Sequence, residues 1–375
     1  MSDVTNVAVI GLGTAGLTLH MPALAELPFA RVVGACDPDP ERRTQARALF
    51  GVPTYEDYEE MLNATSPHVV IVATPPDSHA EYCIEALARG AHVVCEKPFT
   101  SSLEEADRVI EAAARAGRQV ALNHEFREMP IFRALRREVR EGDAGELLVV
   151  QVWQLMDLPP WKERGWRGRL LQRTLYEAGV HLVDYVMDLF GEKPRAVSAT
   201  ISSCGARAEA SDAVALVTME FSRGRLAHIT QNRLCRGETQ YFEVRADCTE
   251  ASLRASFGGR ARLSAGFYRS TKPHLRLERG VSGIAWKENG THRRALARNP
   301  RNPGMHATRE ILKRSLDAFS RGEAPPVSAA RAREVLEVIA ACYHSAGIGA
   351  RVALTSEALS KLVRTRLGEN PAELL

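Results

Sequence analysis

The sequence predicts an α/β chain with two domains: an N-terminal doubly wound parallel sheet, followed by an α+β domain with an open, mainly antiparallel sheet. In the first third, short apolar runs rich in β-branched residues alternate with segments of helical periodicity, which is typical of parallel strands covered by helices on both faces. Beyond Pro130, strand-like runs follow one another with few helices between them, which favours antiparallel pairing. Because 375 residues exceed the usual size of one hydrophobic core, we divide the chain into domains 1–123 and 124–375.

The same patterns predict the individual elements. In the first domain we expect strands at 7–10, 31–36, 69–73, 92–95 and 119–123, and helices at 15–26, 40–50, 78–89 and 103–116. In the second we expect strands at 146–155, 196–202, 213–221, 225–231 and 241–246, and helices at 130–141, 178–190, 305–320 and 329–344. The segment 272–303 is basic and interrupted by Gly, Pro and Asn, which predicts a long loop.

Composition favours a globular protein of the cytoplasm. Apolar residues make up 45% and charged residues 25% of the chain, and no apolar run approaches the roughly 20 residues that span a bilayer. The N-terminus leads into a strand pattern instead of a signal peptide. The seven cysteines have no metal-ligand spacing, so we expect reduced packing residues and no metal.

Charge is divided unevenly along the chain. Residues 1–123 carry 9 Lys and Arg against 17 Asp and Glu, whereas the remainder carries 40 against 29. Two interpretations stay open: two differently solvated surfaces, or a second domain that attracts an anionic substrate. No segment interleaves aromatic residues with a dense basic run, so we expect no nucleic-acid partner.

A glycine-rich turn follows the first predicted strand and opens the first helix, with the sequence Gly11-Leu12-Gly13-Thr14-Ala15-Gly16. Glycines at these positions permit a tight turn and let backbone amides approach a pyrophosphate at the positive end of a helix. Asp37 ends the second strand, where a carboxylate can bind the adenine ribose hydroxyls. This pattern predicts a Rossmann domain that prefers NAD, while Arg42 and Arg43 leave NADP possible as cofactor.

Three segments carry a resemblance to a known family. Residues 73–99 read ATPPDSHAEYCIEALARGAHVVCEKPF, residues 175–192 read LYEAGVHLVDYVMDLFGE, and residues 340–352 read AACYHSAGIGARV. They resemble the signatures of the Gfo/Idh/MocA oxidoreductases, and Glu96-Lys97-Pro98 is the most specific match. The resemblance implies a Rossmann domain followed by an α/β domain whose open sheet builds a homodimer or homotetramer.

The resemblance also implies roles for individual residues. It places beside the cofactor Thr74, Pro75, His79, Glu96, Lys97, Trp166 and Arg167. Glu96 and Lys97 would also lie near the substrate. The chain departs from the family at Glu177, where Asp is usual, and at Leu171-Gln172-Arg173-Thr174, which replaces a Gly-rich run.

Three side chains could carry out acid–base chemistry on an alcohol or ketone. His181 can accept or return a proton near neutral pH. Glu177 lies one helical turn earlier and could orient the imidazole, and Lys97 could polarise the reacting oxygen. Because Lys97 and His181 come from different predicted domains, we expect them to meet across a cleft that holds nicotinamide and substrate.

A further set of polar and aromatic side chains is predicted to contact the substrate. It comprises His124, Arg127, Trp166, Arg169, Arg173 and Tyr176. Their grouping with Lys162, Arg164 and Arg167 favours a phosphate, nucleotide or carboxylate on the substrate.

The sequence therefore predicts an NAD(P)-dependent dehydrogenase or reductase of a sugar, cyclitol or sugar derivative. Two other classes stay open. One is a hydrolase or lyase that oxidises a sugar carbon transiently and then returns the hydride. The other is a non-catalytic dinucleotide sensor, although such a sensor needs neither Lys97 nor His181.

Overall fold

The computed structural model describes residues 4–157, 165–204, 211–235, 241–258, 262–267, 273–278, 283–290, 292–360, 362–363 and 365–368. The chain divides into two compact units, Met1–Glu128 with Gly304–Leu336, and Met129–Pro303 with Glu337–Leu375. The late segment Gly304–Leu336 therefore belongs to the first unit, whereas the sequence-based division at residue 123 assigns it to the second domain.

The first unit contains a six-stranded, fully parallel sheet with the order β3-β2-β1-β4-β5-β6. Its strands are β1 Thr5–Ile10, β2 Ala30–Cys36, β3 Thr54–Tyr55, β4 Val69–Val72, β5 His92–Cys95 and β6 Val120–Leu122. The order reverses between β1 and β4, which is the topological switch point where doubly wound sheets bind ligands. This confirms the predicted Rossmann sheet.

The second unit contains a nine-stranded sheet with the order β16-β15-β12-β11-β7-β10-β9-β8-β17, and a separate pair β13-β14. The bounds are β7 Leu147–Leu155, β8 Ala196–Ser202, β9 Val214–Glu220, β10 Leu226–Asn232, β11 Tyr241–Cys248, β12 Ser252–Phe257, β13 Arg262–Phe267, β14 Pro273–Glu278, β15 Ile284–Asn289, β16 His292–Arg298 and β17 Val352–Ala353. Within the described part of this sheet only β7 and β10 pair in parallel, so the predicted open, mainly antiparallel sheet is confirmed.

The prediction of a long loop at 272–303 was wrong, because β14, β15 and β16 lie there. β16 is an edge strand whose basic side chains are mostly exposed or ion-paired, as Arg294 is with Glu138. An edge strand with this composition lacks the apolar alternation by which a strand is recognised in sequence.

The helices are mostly those predicted. Their bounds are α1 Met21–Ala25, α2 Pro40–Phe50, α3 Tyr58–Thr65, α4 His79–Ala88, α5 Leu103–Ala116, α6 Pro130–Glu141, α7 Trp166–Arg169, α8 Val180–Phe190, α9 Pro303–Arg321, α10 Ala329–Ile348 and α11 Ser356–Ser360. Two π-helical turns, Gly16–His20 and Thr174–Gly179, run directly into α1 and α8. Among the described helices, none combines the length and apolar character needed to cross a membrane.

Helix α9 belongs to the first unit because one of its faces is apolar. Leu312, Leu316 and Phe319 recur at helical spacing and join the core that contains Val7 and Val9 of β1. This packing brings the first residues of α9, among them Thr308, to the edge of the parallel sheet at which its strands end.

Candidate functional site

The glycine turn after β1 is shaped by two close backbone contacts. Gly11 has φ +97°, and a Cβ there would lie 2.6 Å from the carbonyl oxygen of Ala73. A Cβ on Gly16 would lie 2.1 Å from the carbonyl oxygen of Gly11. On Gly13, by contrast, a Cβ would meet nothing closer than the Arg42 guanidinium at 3.9 Å. Two glycines are therefore required by the turn itself, while the third leaves open the side on which a pyrophosphate binds in such turns.

Asp37 ties the end of β2 to this turn. Its buried carboxylate accepts hydrogen bonds from the amide of Leu12 at 2.8 Å and from the amide of Asp39 at 2.9 Å. One guanidinium nitrogen of Arg42 lies 3.4 Å from the same carboxylate. The residue predicted to bind the adenine ribose is thus fixed beside the glycine turn.

The two arginines after Asp37, Arg42 and Arg43, differ in their exposure to solvent. Arg43 donates to the carbonyl oxygens of Asp37 and Pro38 at 2.8 and 2.9 Å, and it forms an ion pair with Glu56. The side chain of Arg42 is 49% exposed and lies beside Gly13. Of the pair, Arg42 is therefore the more exposed, although its Nε also lies 3.3 Å from the Asp39 carboxylate.

His79 joins two loops at the carboxyl edge of the sheet. Its ring is fully buried, with Nε2 2.8 Å from the carbonyl oxygen of Thr74 and Nδ1 2.9 Å from that of Pro98. Burial lowers the pKa of His79, although the carbonyl contacts oppose the shift. Both nitrogens thus face the backbone, and the ring holds the Thr74–Pro75 loop against the loop that carries Lys97.

Glu96 is the centre of a buried polar network in the first unit. One carboxylate oxygen lies 2.7 Å from Nε2 of His20 and accepts a hydrogen bond from the Asn123 amide at 2.7 Å. The other accepts from the backbone amide of Lys97 at 3.2 Å. The Asn123 amide also lies 3.2 Å from the hydroxyl of Thr308 in α9. The backbone amide of Lys97 is therefore held by a carboxylate whose other partners are His20 and Asn123.

This network also determines the charge of Glu96. Burial acts to raise the pKa of Glu96, but the hydrogen bond and charge of His20, the Asn123 amide and the charge of Lys97 outweigh it. The pKa is lowered from 4.5 to about 2. Glu96 is consequently a carboxylate at neutral pH.

Sequence reasoning missed three members of the network: His20, Asn123 and Thr308. Asn123 had a usable signal, because it ends a predicted strand of the parallel sheet and such positions face the ligand edge. His20 lies in the first predicted helix, 15–26, and belongs to no motif of its own; Thr308 lies 185 residues from Asn123, where no local pattern connects them.

In the second unit, Glu177 and His181 lie on one continuous helical segment. Glu177 is in the π-helical turn Thr174–Gly179, and His181 is the second residue of α8. π-Helical turns inside helices are frequent at functional sites. The Glu177 carboxylate accepts a hydrogen bond from Nε of Arg167 at 3.0 Å, and the Arg167 guanidinium stacks 4.4 Å from the Trp166 ring centre. Arg167 and Glu177 thus form an ion pair within the second unit.

Gly179 lets this turn lie against the sheet. A Cβ there would lie 2.7 Å from the amide oxygen of Gln231 and 2.9 Å from a methyl group of Leu175. Gln231 is fully buried and donates to Gln154 on the neighbouring strand at 2.7 Å. A side chain at position 179 would therefore push away the turn that leads to His181.

The predicted substrate contacts divide between the two units. His124 and Arg127 are buried just after β6 in the first unit. Arg173 and Tyr176 are buried in the second, and Arg169 is exposed there. Lys162 and Arg164 lie outside the described residues. Whether the residues of the two units act on one substrate stays a prediction.

Two family models match the chain and together cover more than half of it. One, described as an oxidoreductase family with an NAD-binding Rossmann fold, matches residues 5–124. The other, a GFO/IDH/MocA C-terminal domain, matches residues 132–254.

Curated relatives are similar over part of their length. D-apiose dehydrogenase of Paraburkholderia graminis is 28% identical over 66% of this chain and 67% of the relative. The scyllo-inositol 2-dehydrogenase (NADP(+)) of Bacillus subtilis is 28% identical over 56% of this chain and 58% of the relative. The chain thus spans about half to two thirds of the length of these relatives.

Solved structures share the fold over nearly the whole chain. An oxidoreductase from Agrobacterium radiobacter, in complex with NAD+, L-tartaric acid and magnesium, has a TM-score of 0.78 at 18% identity, covering 93% of this chain and 98% of that one. The WlbA dehydrogenase from Bordetella pertussis, in complex with NADH and UDP-GlcNAcA, has a TM-score of 0.74 at 18% identity, covering 94% and 99%.

The open space at Gly13 gives a first prediction. Gly13→Ala should leave the free energy of unfolding close to wild type, because the added methyl group meets no protein atom within 3.4 Å. It should weaken NADH binding by roughly tenfold, about 1.4 kcal/mol, because the methyl group would occupy the space in which we expect the pyrophosphate to bind. Gly16→Ala should lower both the free energy of unfolding and the NADH affinity, since its Cβ would clash with the Gly11 carbonyl oxygen. Urea unfolding and NADH fluorescence titration measure these effects; wild-type affinity in Gly13→Ala would place the pyrophosphate elsewhere.

The charge of Glu96 gives a second prediction. Because the folded pKa lies below the ordinary value of 4.5, the carboxylate contributes stability above that pH and loses it as the pH falls toward about 2. Glu96→Gln should therefore be less stable than wild type at pH 7, and the difference should shrink between pH 4.5 and 2. Urea unfolding across this range measures it. A difference that stays constant with pH would contradict the proposed charge state.

Proposed function

The chain belongs to the Gfo/Idh/MocA family of oxidoreductases, and on this premise we propose that it oxidises a hydroxyl carbon or reduces a keto carbon of a sugar, cyclitol or sugar derivative with a nicotinamide dinucleotide. The observation that carries the proposal is the carboxyl edge of the parallel sheet. There the open glycine turn follows β1, the Asp37 carboxylate follows the neighbouring β2, and the Glu96-Lys97 pair follows β5 of the same sheet.

The residues of the chain would hold the dinucleotide and move the substrate proton. When bound, the dinucleotide accepts or donates the hydride. The amides of the glycine turn would hold its pyrophosphate and Asp37 its adenine ribose. Lys97 would polarise the reacting oxygen, and the His181 imidazole would take the hydroxyl proton in oxidation and return it in reduction. We assign Glu177 the supporting role of adjusting the charge around His181.

An anionic substrate is the finer form of this proposal. Arg167 is already ion-paired with Glu177, so a negative group on the substrate would have to be met by other cations, with Arg169 and Arg173 the candidates in the same unit. The expected homodimer or homotetramer stays a prediction.

A spectrophotometric screen of sugars, cyclitols and nucleotide sugars identifies the substrate. Each neutral sugar should be paired with its uronate or phosphate, so that a preference for the charged member supports the anionic form and the opposite preference rejects it. Turnover without added dinucleotide, by protein that copurifies with it, would instead assign the hydrolase or lyase class. Saturable dinucleotide binding with no turnover across the panel would assign a sensor.

The surroundings of Asp37 predict a preference for NAD. The buried carboxylate beside the glycine turn would repel a 2′-phosphate, so NADH should bind roughly tenfold tighter than NADPH, a difference of about 1.4 kcal/mol. Fluorescence titration with both dinucleotides measures the ratio. Arg42→Ala should weaken NADPH more than NADH, because Arg42 is the half-exposed cation at this position. Tighter binding of NADPH to wild type would mean that Arg42 outweighs Asp37.

The assigned acid–base groups give the central mutational prediction. Lys97→Met and His181→Leu should each lower kcat by about 10² to 10⁴, the usual contribution of a positioned acid or base, while NADH affinity stays near wild type. Glu177→Gln should have a smaller effect, since it keeps the shape and removes only the charge. Lys313→Met, an exposed lysine of α9, serves as control and should keep full turnover. Near-normal kcat in both Lys97→Met and His181→Leu would reject this active site.

A further inference from the structure

The turn that carries Glu177 begins on a buried carboxylate from a distant part of the chain. Asp212 lies just before β9, and one of its carboxylate oxygens accepts hydrogen bonds from the backbone amides of Arg173 and Thr174, both at 2.7 Å. The Thr174 hydroxyl donates in return to the carbonyl oxygen of Asp212 at 3.0 Å. The first amides of a helix have no partner within the helix, so Asp212 acts as their cap.

Tyr343 of α10 completes this cap. Its hydroxyl donates to the second carboxylate oxygen of Asp212 at 2.7 Å and accepts a hydrogen bond from the backbone amide of Leu175 at 3.2 Å. Three successive amides, at Arg173, Thr174 and Leu175, are thus satisfied by one side-chain pair. Both members are buried, so water cannot replace either of them without rearrangement.

The ionisation of the pair fits this arrangement. Burial raises the pKa of Tyr343 well above 10, and the charge of Asp212 raises it further, so the phenol keeps its proton and donates. Burial also raises the pKa of Asp212, while the hydrogen bonds from Tyr343 and the two amides oppose that shift.

We propose that Asp212 and Tyr343 are positioning residues: they fix the start of the π-helical turn Thr174–Gly179 and thereby hold the His181 imidazole where it can transfer the substrate proton. The proposal rests on the proposed function. The turn runs without interruption from Thr174 into α8, so a shift at its first amides is carried along the helix to His181. A displacement of about 1 Å of a catalytic group can cost 10²-fold in rate.

Graded substitutions test the pair. Asp212→Ala should lower kcat about 10²-fold, whereas Asp212→Asn should be milder, because its amide oxygen can still accept from Arg173 and Thr174. Tyr343→Phe should lower kcat roughly tenfold. In all three, NADH affinity should stay near wild type, and the primary deuterium isotope effect on kcat should rise, because the chemical step becomes slower than the others.

Tyr185→Phe is the matched control. Tyr185 is a fully buried tyrosine of α8, one turn beyond His181, and it donates to the carbonyl oxygen of Phe132 at 2.8 Å. Its loss removes one buried hydrogen bond from the same helix without touching the cap. Tyr185→Phe should lower the free energy of unfolding but keep kcat and the isotope effect.

Hydrogen exchange tests the positioning role of Asp212 and Tyr343 independently of the proposed function. By mass spectrometry, amide exchange across residues 173–181 should accelerate in Asp212→Ala and Tyr343→Phe but not in Tyr185→Phe. Unchanged exchange there would overturn the inference whatever the enzyme does. Accelerated exchange with unchanged kcat, in an enzyme that His181→Leu inactivates, would also overturn it and leave a purely structural cap. Near-normal kcat in both Lys97→Met and His181→Leu would instead reject the proposed active site.

Discussion

The candidate chemistry of the first unit depends on the register of its parallel strands. The last residues of β1, β2, β4, β5 and β6 are paired directly with one another across the sheet, so the residues that follow them leave the sheet side by side. These residues are Gly11, Asp37, Ala73, Glu96 and Asn123. Each of them donates its backbone amide to a neighbouring element, as Gly11 does to Cys36 and Asn123 to Cys95, at 2.8 and 2.9 Å. A shift of one residue in any strand would move one of these groups to the other face of the sheet.

Both units fix a candidate catalytic residue through buried polar contacts that lie behind it. In the first unit, burying Glu96 is tolerated because His20, Asn123 and the Lys97 amide occupy its oxygens. Removing one partner of such a buried pair typically costs about 3–5 kcal/mol, so the network holds the Lys97 backbone rigidly. In the second unit, a capping carboxylate and a close glycine contact with the sheet hold the helical turn before His181. Rigid support of this kind is what a positioned acid or base requires.

Much of this architecture is visible in the sequence, because its signals are local. The bounds of α2 and α5 were predicted to the residue, since Asp39 and Ser102 cap their first turns and Gly51 and Gly117 adopt left-handed conformations at their ends. The site residues that were missed are those joined by tertiary contacts, such as Thr308, which reaches Asn123 only because α9 packs back onto the parallel sheet. The sequence analysis also missed β3, which has only two residues, and the acidic α3, which is only weakly apolar. It missed the π-helical turns because a local change of helical pitch leaves no periodic signal in the sequence.

The most direct test of the account follows the hydrogen that is transferred. The best substrate from the screen, deuterated at the carbon that is oxidised, should be turned over with NAD by the wild-type protein, and the reduced dinucleotide should be analysed by mass spectrometry and NMR. The account predicts one deuterium at C4 of the nicotinamide ring and none acquired from D₂O when unlabelled substrate is used. A dinucleotide without deuterium, or a label exchanged with solvent, would contradict the proposed direct hydride transfer between the substrate and a dinucleotide bound at the Gly11–Gly16 turn.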